Sequence, residues 1–307
     1  MQTKIAIVGN GVTAGLAANL LTSLGDITLF QSPHFSASGI PEIVPRRAFF
    51  NALNTIKESE AVIQAAPIIR SVSWRNNGKF HQAELASNEQ YFIYDKGRLA
   101  TFLVENIPVS RRIQQEITRI EDLEGFDRIF DCRGTTSVIN DPAYMSHVIQ
   151  PAQTACRYLV ISFPPDLDRN EMRFWSEIFP NGSRRTFFMI PVGDNKVSLG
   201  CSCLPSNVIS TDELLAAIAA EGISVVPEKI LFSGYVVPEK RSMTCSINHV
   251  TPLGDASTSP CPLSEYGTLN ALFQIREFVD NACFSPMLFQ RPKYNEIDPH
   301  LPQELFL

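Results

Sequence analysis

The chain has 307 residues, 44% of them hydrophobic, with 26 Lys and Arg against 32 Asp and Glu and a formal net charge of −6. That length and composition bury a sizeable core, suit two domains or one large one, and exclude a disordered or fibrous chain. The acidic balance, without any Lys/Arg cluster, argues against nucleic acid as a partner, and no apolar run approaches the roughly 18 residues of a membrane span.

Lys4 to Val8 reads as a strand, the stretch from Gly9 through Asn10, Gly11, Val12, Thr13 and Ala14 as a glycine turn, Val12 to Leu24 as a helix, and Ile27 to Gln31 as a second strand. This is the unit with which a chain holds the pyrophosphate of a dinucleotide. Gly9 lets the strand turn tightly, Gly11 lets the backbone approach the phosphates, and Ala14 and Gly15 let the helix sit close on the sheet. The helix N-terminus then faces the anion with free N–H groups. At the end of the second strand, where Glu or Asp usually grips the ribose, stands Gln31, followed by Ser32. An amide bonds a hydroxyl without the charge that makes such a bond strong. The unit by itself does not distinguish NAD from FAD. The chain begins directly with this core strand, with no room for a cleavable signal, and the expectation is a cytoplasmic protein.

Residues 32 to 45, with Pro33, Gly39, Pro41 and Pro45, predict an extended loop, and Arg47 to Ile56 a helix. Ile68 to Trp74 and Gln90 to Ile93 read as strands flanking a polar turn at Asn76-Asn77-Gly78. Leu99 to Glu105 reads as a helix and Phe126 to Asp131 as a short strand. Residues 157 to 163 and 186 to 202 alternate as antiparallel strands do, and Thr211 to Glu221 is an amphipathic helix opened by a Ser/Thr-Asp cap. His249 to Ala256 is an apolar approach to a turn at Gly254-Asp255-Ala256, with His249 read as a core histidine. Tyr266-Gly267-Thr268-Leu269-Asn270 then opens a helix running to about Phe278.

One nucleotide domain is therefore expected from both ends of the chain, residues 1–50, 92–150 and 245–284. Residues 51–91 and 151–244 form an inserted β-rich substrate domain. Residues 285–307, with four prolines, form a tail. Seven cysteines, an odd number without C-x-x-C spacing, read as buried free thiols, and no metal site is expected.

Taken in order, these pieces resemble the FAD-dependent halogenase and aromatic monooxygenase superfamily, most closely its tryptophan-halogenase branch. The Gly9 to Gly15 turn looks like that family's opening motif. Gln31-Ser32-Pro33, the Gly39 to Pro45 loop and Ala48-Phe49-Phe50 are similar to its Glu-Ser-Pro, Gly-Glu-x-x-Ile-Pro and Ala-Phe-Phe sequence. Asp131-Cys132-Arg133-Gly134 matches its strand ending in Asp-Cys-x-Gly. Phe187 to Pro191 is similar to its Trp-x-Trp-x-Ile-Pro segment, and Pro262 to Gly267 to its Pro-Leu-Glu-Ser-Thr-Gly loop. Gly254-Asp255 and Gly267-Thr268-Leu269-Asn270 look more like the hydroxylase branch.

The resemblance implies an α/β fold: a Rossmann-type FAD-binding domain, a parallel sheet with helices on both faces, carrying a β-rich substrate domain as in para-hydroxybenzoate hydroxylase. It implies FAD as the cofactor, with Asp255 on its ribityl chain and Pro262 to Gly267 and Thr268 along the flavin; the residues themselves leave Arg46 or Arg47 either to the pyrophosphate or an acidic substrate group or to a surface role. Phe187, Phe188, Ile190, Pro191, Pro262 and Leu263 would supply apolar walls. The resemblance sets the Glu42 loop beside the flavin, where Glu42 is either a flavin-contacting or acid/base residue or a solvated loop carboxylate, and brings Glu265 to the reaction centre for acid/base work, with a charge at a helix N-terminus as its alternative role.

The departures are informative too. No lysine stands between Lys57 and Lys79, where a halogenase carries its catalytic one, and Arg70 is no chemical substitute. Ser264 replaces the glutamate of the Pro-Leu-Glu loop, and the paired tryptophans fall on Thr186 and Phe188. The leading expectation is an FAD-dependent monooxygenase acting on an indole-like or pyrrole-like ring, free, carrier-bound or within a partner protein, in specialised metabolism or cofactor maturation. The alternatives are a non-catalytic flavin-binding subunit and an FADH2-dependent halogenase. No second G-x-G-x-x-G marks an NAD(P)H site, so direct reduction and a separate flavin reductase both fit.

Overall fold

The computed structural model describes residues 2–34, 41–45, 69–76, 78–85, 91–178, 183–193, 195–226, 229–237, 239–257 and 267–283. Its elements begin with β1 (Lys4–Val8), α1 (Val12–Leu20), β2 (Asp26–Gln31), β3 (Pro41–Pro45), β4 (Ser71–Asn76), β5 (Lys79–Glu84) and β6 (Tyr91–Asp95). The chain continues through α2 (Lys96–Glu105), β7 (Arg112–Gln114), β8 (Arg128–Asp131), α3 (Thr135–Ile139), β9 (Tyr144–Gln150), β10 (Ala155–Ser162), β11 (Glu171–Ile178) and β12 (Arg184–Gly193). It ends with β13 (Lys196–Cys203), α4 (Thr211–Ala220), β14 (Ile230–Val236), β15 (Lys240–Cys245), β16 (Val250–Pro252) and α5 (Gly267–Cys283).

Two sheets organise the molecule. The first is parallel, in the order β16-β8-β1-β2-β7. Its central strand is apolar at successive positions because both faces are covered. Ile5 and Ile7 pack with Leu16, Leu99, Leu103, Leu272 and Ile275 of α1, α2 and α5. Ala6 and Val8 pack on the other side with Val138 of α3 and with Tyr144 and Met243 of the antiparallel β9–β15 ribbon. Helices thus cover one face, and the other is covered by one short helix and a ribbon.

The second sheet, β14-β10-β13-β12-β11-β4-β5, is antiparallel except for the β11–β4 pair. One face packs Leu159, Phe187, Met189, Leu199 and Trp175 against Leu214 and Ile218 of α4. That helix starts at a capping box in which Ser210 Oγ accepts from the Glu213 amide and the Glu213 carboxylate accepts from the Ser210 amide. A two-stranded β3–β6 pair lies beside the sheet, with β6 running directly into α2.

Several expectations change. The proline-rich stretch before residue 46 is not loop throughout: Pro41 and Pro45 stand at the ends of β3, which among the described residues pairs with β6 alone, so neither missing N–H breaks an interior ladder there. The turn after Asn76 leads into β5, a polar edge strand, and β6 belongs to a different pair. Helix α1 stops at Leu20 and tightens into a 3-10 turn over Leu21–Ser23. His249 is exposed and not a core histidine. Cys132, Cys156, Cys201 and Cys203 are buried free thiols, as composition suggests, and the described residues hold no metal-ligand cluster. No described helix is long and apolar enough to cross a membrane. The helix expected over 47–56 and the tail at 285–307 lie outside the described residues.

Candidate active site

The turn from β1 to α1 is built by close approach. Gly9 has φ +144°, and a Cβ there would lie 2.5 Å from the Cys132 carbonyl oxygen of β8's end. Asn10 fastens the turn to β2, its Nδ2 donating to the Ser32 carbonyl (2.7 Å) and its Oδ1 accepting from the Ser32 amide (2.8 Å). At Gly11 a Cβ would meet nothing within 4 Å. The N-terminus of α1, with Val12 and Thr13, therefore opens onto a cavity of about 550 Å³ with no side chain in its way. Ala14 is fully buried beneath it. Gly15 serves a contact other than the expected one: its Cβ position lies 2.6 Å from Leu103 Cβ, so it lets α1 approach α2 and not the sheet.

The distant end of the chain closes the same cavity. Gly254 has φ +59°, and a Cβ there would lie 2.5 Å from Thr13 Oγ1, which seats the turn after β16 directly on the start of α1. Asp255 follows and lines the cavity together with Gly267 and Thr268. Its carboxylate makes no hydrogen bond among the described residues. Burial pushes the Asp255 carboxyl above its ordinary range, opposed by Lys96 and reinforced by Glu42.

Glu42, Lys96 and Thr268 form the cluster beside it. The Thr268 amide donates to Glu42 Oε1 (3.0 Å) and its hydroxyl to Oε2 (2.6 Å), so the carboxylate caps α5. Lys96 Nζ lies 3.3 Å from Glu42 Oε2, with 34% of the lysine side chain still open. Burial works against the ammonium charge, but Glu42 and Asp255 outweigh it and raise the Lys96 pKa. Lys96 therefore stays protonated at neutral pH.

The remaining expectations divide. Ser32 lines the cavity, whereas Gln31 is buried and its side-chain oxygen faces Gln114 Nε2 at 3.5 Å. Beside Ser32 the cavity is lined instead by Gln115 and Glu116. Phe187 stacks on Trp175 at 5.4 Å on the helix-covered face, so alternation along β12 leaves Phe188 and Ile190, and not Phe187, on the other. Arg47, Pro262, Leu263 and Glu265 lie outside the described residues. Sequence reasoning missed Lys96 and Glu116, neither of which belongs to a motif. It also missed the role of Arg133, which donates to Asp131 (2.7 Å) and Asp141 (2.6 Å) and pins the floor of the cavity.

No protein-family model and no curated protein matches the sequence. Solved structures do match. A tetrameric form of 2-methyl-3-hydroxypyridine-5-carboxylic acid oxygenase aligns with a TM-score of 0.70 at 15% identity, over 92% of this chain and 82% of that one. A variant of HpxO from Klebsiella pneumoniae, complexed with FAD, aligns with a TM-score of 0.66 at 12% identity, over 94% and 82%. The chain has the fold of the FAD-dependent monooxygenases. A third monooxygenase-fold neighbour, the peptidyl tryptophan dihydroxylase QhpG, essential for tryptophylquinone cofactor biogenesis, aligns with a TM-score of 0.60 at 16% identity, over 91% of this chain and 66% of that one. These likenesses carry the monooxygenase fold, and none of them bears on the tryptophan-halogenase branch in particular.

Proposed function

We propose that the protein is an FAD-dependent monooxygenase that hydroxylates an aromatic ring of indole or pyrrole size. The observation that carries this reading is the cavity where the open side of Gly11 and the unbonded carboxylate of Asp255 come together from opposite ends of the chain. Its volume, about 550 Å³, lies in the range of small-molecule and cofactor sites. The fold supports the reading, as does the likeness to a peptidyl tryptophan dihydroxylase.

The residues present fit FAD. The amides of Val12, Thr13 and Ala14 at the start of α1 take the pyrophosphate, and Gly11 leaves room for it. Asp255 accepts from the hydroxyls of the ribityl chain. Glu116 takes the adenosine ribose in place of Gln31, whose amide is turned toward Gln114. When bound, the flavin supplies the activation of oxygen. Lys96, held protonated by Glu42 and Asp255, places a fixed positive charge at the α5 end of the cavity. Glu42, committed to capping α5 and to Lys96, acts as the positioning residue of that charge. In the balance, one atom of O2 enters the ring as hydroxyl and the other leaves as water, with two electrons and two protons from an external reductant.

The test is direct. The purified protein is expected to carry stoichiometric flavin in its visible spectrum and, with a reductant and an aromatic substrate, to place one atom of labelled O2 in the product. A colourless preparation that does not take up FAD overturns the reading. A yellow one that transfers no oxygen leaves a flavin-binding subunit, and bromide-dependent mass shifts in the product would restore halogenation.

A further inference from the structure

The parallel sheet and the seven-stranded sheet end in edge strands, and all of these but one are blunted. β7 and β16 are three residues long, the first carrying Arg112 and Gln114 and the second closing on Pro252. β5 is largely polar, with Lys79 and Glu84 at its ends and His81 and Gln82 between. Shortness, charge and proline are the ordinary devices that keep a sheet edge from pairing with another chain.

β14 uses none of them. It is seven residues long, Ile-Leu-Phe-Ser-Gly-Tyr-Val, without charge or proline, and it pairs with β10 alone among the described residues. Burial alternates along it, so Leu231, Ser233 and Tyr235 form an exposed row that Val237 continues. Leu231 is 54% exposed, Tyr235 47% and Val237 39%. An apolar row beside a line of unpaired backbone groups is what a pairing surface presents.

The strand is held firmly in place. The guanidinium of Arg157 lies 5.2 Å from the centre of the Tyr235 ring, and the Phe232 and Tyr158 rings are 5.8 Å apart. Gly234 lies against Tyr158, where a Cβ would come within 2.4 Å of the ring. An edge formed in advance loses little conformational freedom when another strand joins it.

The edge is also complementary to itself. Antiparallel pairing of two copies about a twofold axis at Gly234 sets Leu231 opposite Val237, Phe232 opposite Val236 and Lys229 opposite Glu239 of the second copy. Lys229 is exposed and makes no ion pair among the described residues, while 37% of the Glu239 side chain stays open beside Arg241. Symmetry forms this charge pair at both ends of the strand. A centre at Ser233 would set Lys229 against Val237 and form neither. The chain's own residues 284–307 fit the edge less well, because Pro286, Pro292, Pro299 and Pro302 leave no uninterrupted run as long as β14.

We propose that β14 is the surface through which two copies of this chain dimerise, edge to edge, joining their seven-stranded sheets into one. The inference goes beyond the monooxygenase reading and stands independently of it.

Sedimentation velocity of the full-length protein from about 1 to about 100 μM is expected to show a particle of twice the chain's mass that dissociates on dilution. Leu231→Lys, which puts a charge into the apolar row, weakens the dimer by more than about tenfold. Lys229→Glu sets carboxylates opposite each other and weakens it by about fivefold, and adding Glu239→Lys recovers most of that loss. Damage confined to one chain would not be repaired in this way.

A monomer throughout that range, a dimer indifferent to Leu231→Lys, or a loss at Lys229→Glu that the double reversal does not recover overturns the proposal. In a monomer, protection of the β14 amides from hydrogen exchange would assign the edge to the chain's own tail. Should Leu231→Lys fail to fold, the charge pair decides, since both its members stand outside the strand. Flavin absorbance of the same samples reports on the monooxygenase reading separately.

Discussion

Two glycines on the cavity wall differ in what a side chain would do there. Gly11 has φ −81° and open space around its Cβ position, so Gly11→Val is expected to leave the melting temperature within about 2 °C of wild type while FAD affinity drops by more than about tenfold. Thermal unfolding and flavin titration of one preparation check both halves. Gly254→Ala is the opposite case: with φ +59° and Thr13 Oγ1 in the way, it destabilises the fold by about 2 kcal/mol in urea titrations. Asp255 links binding to pH. Its carboxyl is raised in the folded state, chiefly by burial, so the folded chain holds that proton more tightly than the unfolded one. The associated stability is fully present below the ordinary carboxylate range and is lost as pH rises through the folded value. Asp255→Asn should abolish that loss and gain stability at neutral pH while weakening FAD retention. Urea midpoints measured from pH 4 upward would show the two proteins diverging, and parallel curves would contradict the assignment.

Among elements, the α1–α2 contact depends on Gly15. A Cβ there would stand 2.6 Å from Leu103 Cβ inside a close-packed helix pair, so Gly15→Val is expected to cost about 1–3 kcal/mol. Leu103→Ala added to it should return part of the loss, a coupling that a double-mutant cycle in denaturant measures directly. This contact was half legible in the sequence. A small residue inside an apolar helix signals close approach, but which element approaches is decided by how the chain packs. The same limit explains β3 and β5. Prolines and polar residues argue against interior strands, and both are edge or paired-edge strands where those residues cost little. Period-two alternation did mark residues 157–163 and 186–202 as antiparallel strands, but it was the packed sheet that put Phe187 and Phe188, expected together as apolar walls, on opposite faces.

On the scale of the whole molecule, Arg133 ties the parallel sheet to its ribbon-covered face. It joins Asp131 and Asp141 and donates to the carbonyls of Ile117 and Thr118, while the Tyr144 hydroxyl donates to Asp131. Arg133→Met leaves two buried carboxylates without their cation and should cost about 3–5 kcal/mol by chemical denaturation. Burial opposes the Asp141 charge, but Arg133 and the amides of Ala143 and Ile120 overcome it and hold the carboxyl below its ordinary range. Its contribution is therefore present above the ordinary carboxylate value and is lost as pH falls through the folded one, so urea midpoints should drop on acidification and Asp141→Asn should flatten that drop. The amino-acid order by itself determined the glycine turn, the capped helix at Thr211 and the alternating strands, because each is set by interactions among residues a few positions apart. Only the tertiary structure decided the cavity's chemistry. Glu42, Lys96, Asp255 and Thr268 meet from four separate stretches of chain, and nothing near any of them along the sequence reports a charge balance that exists only after folding removes them from water.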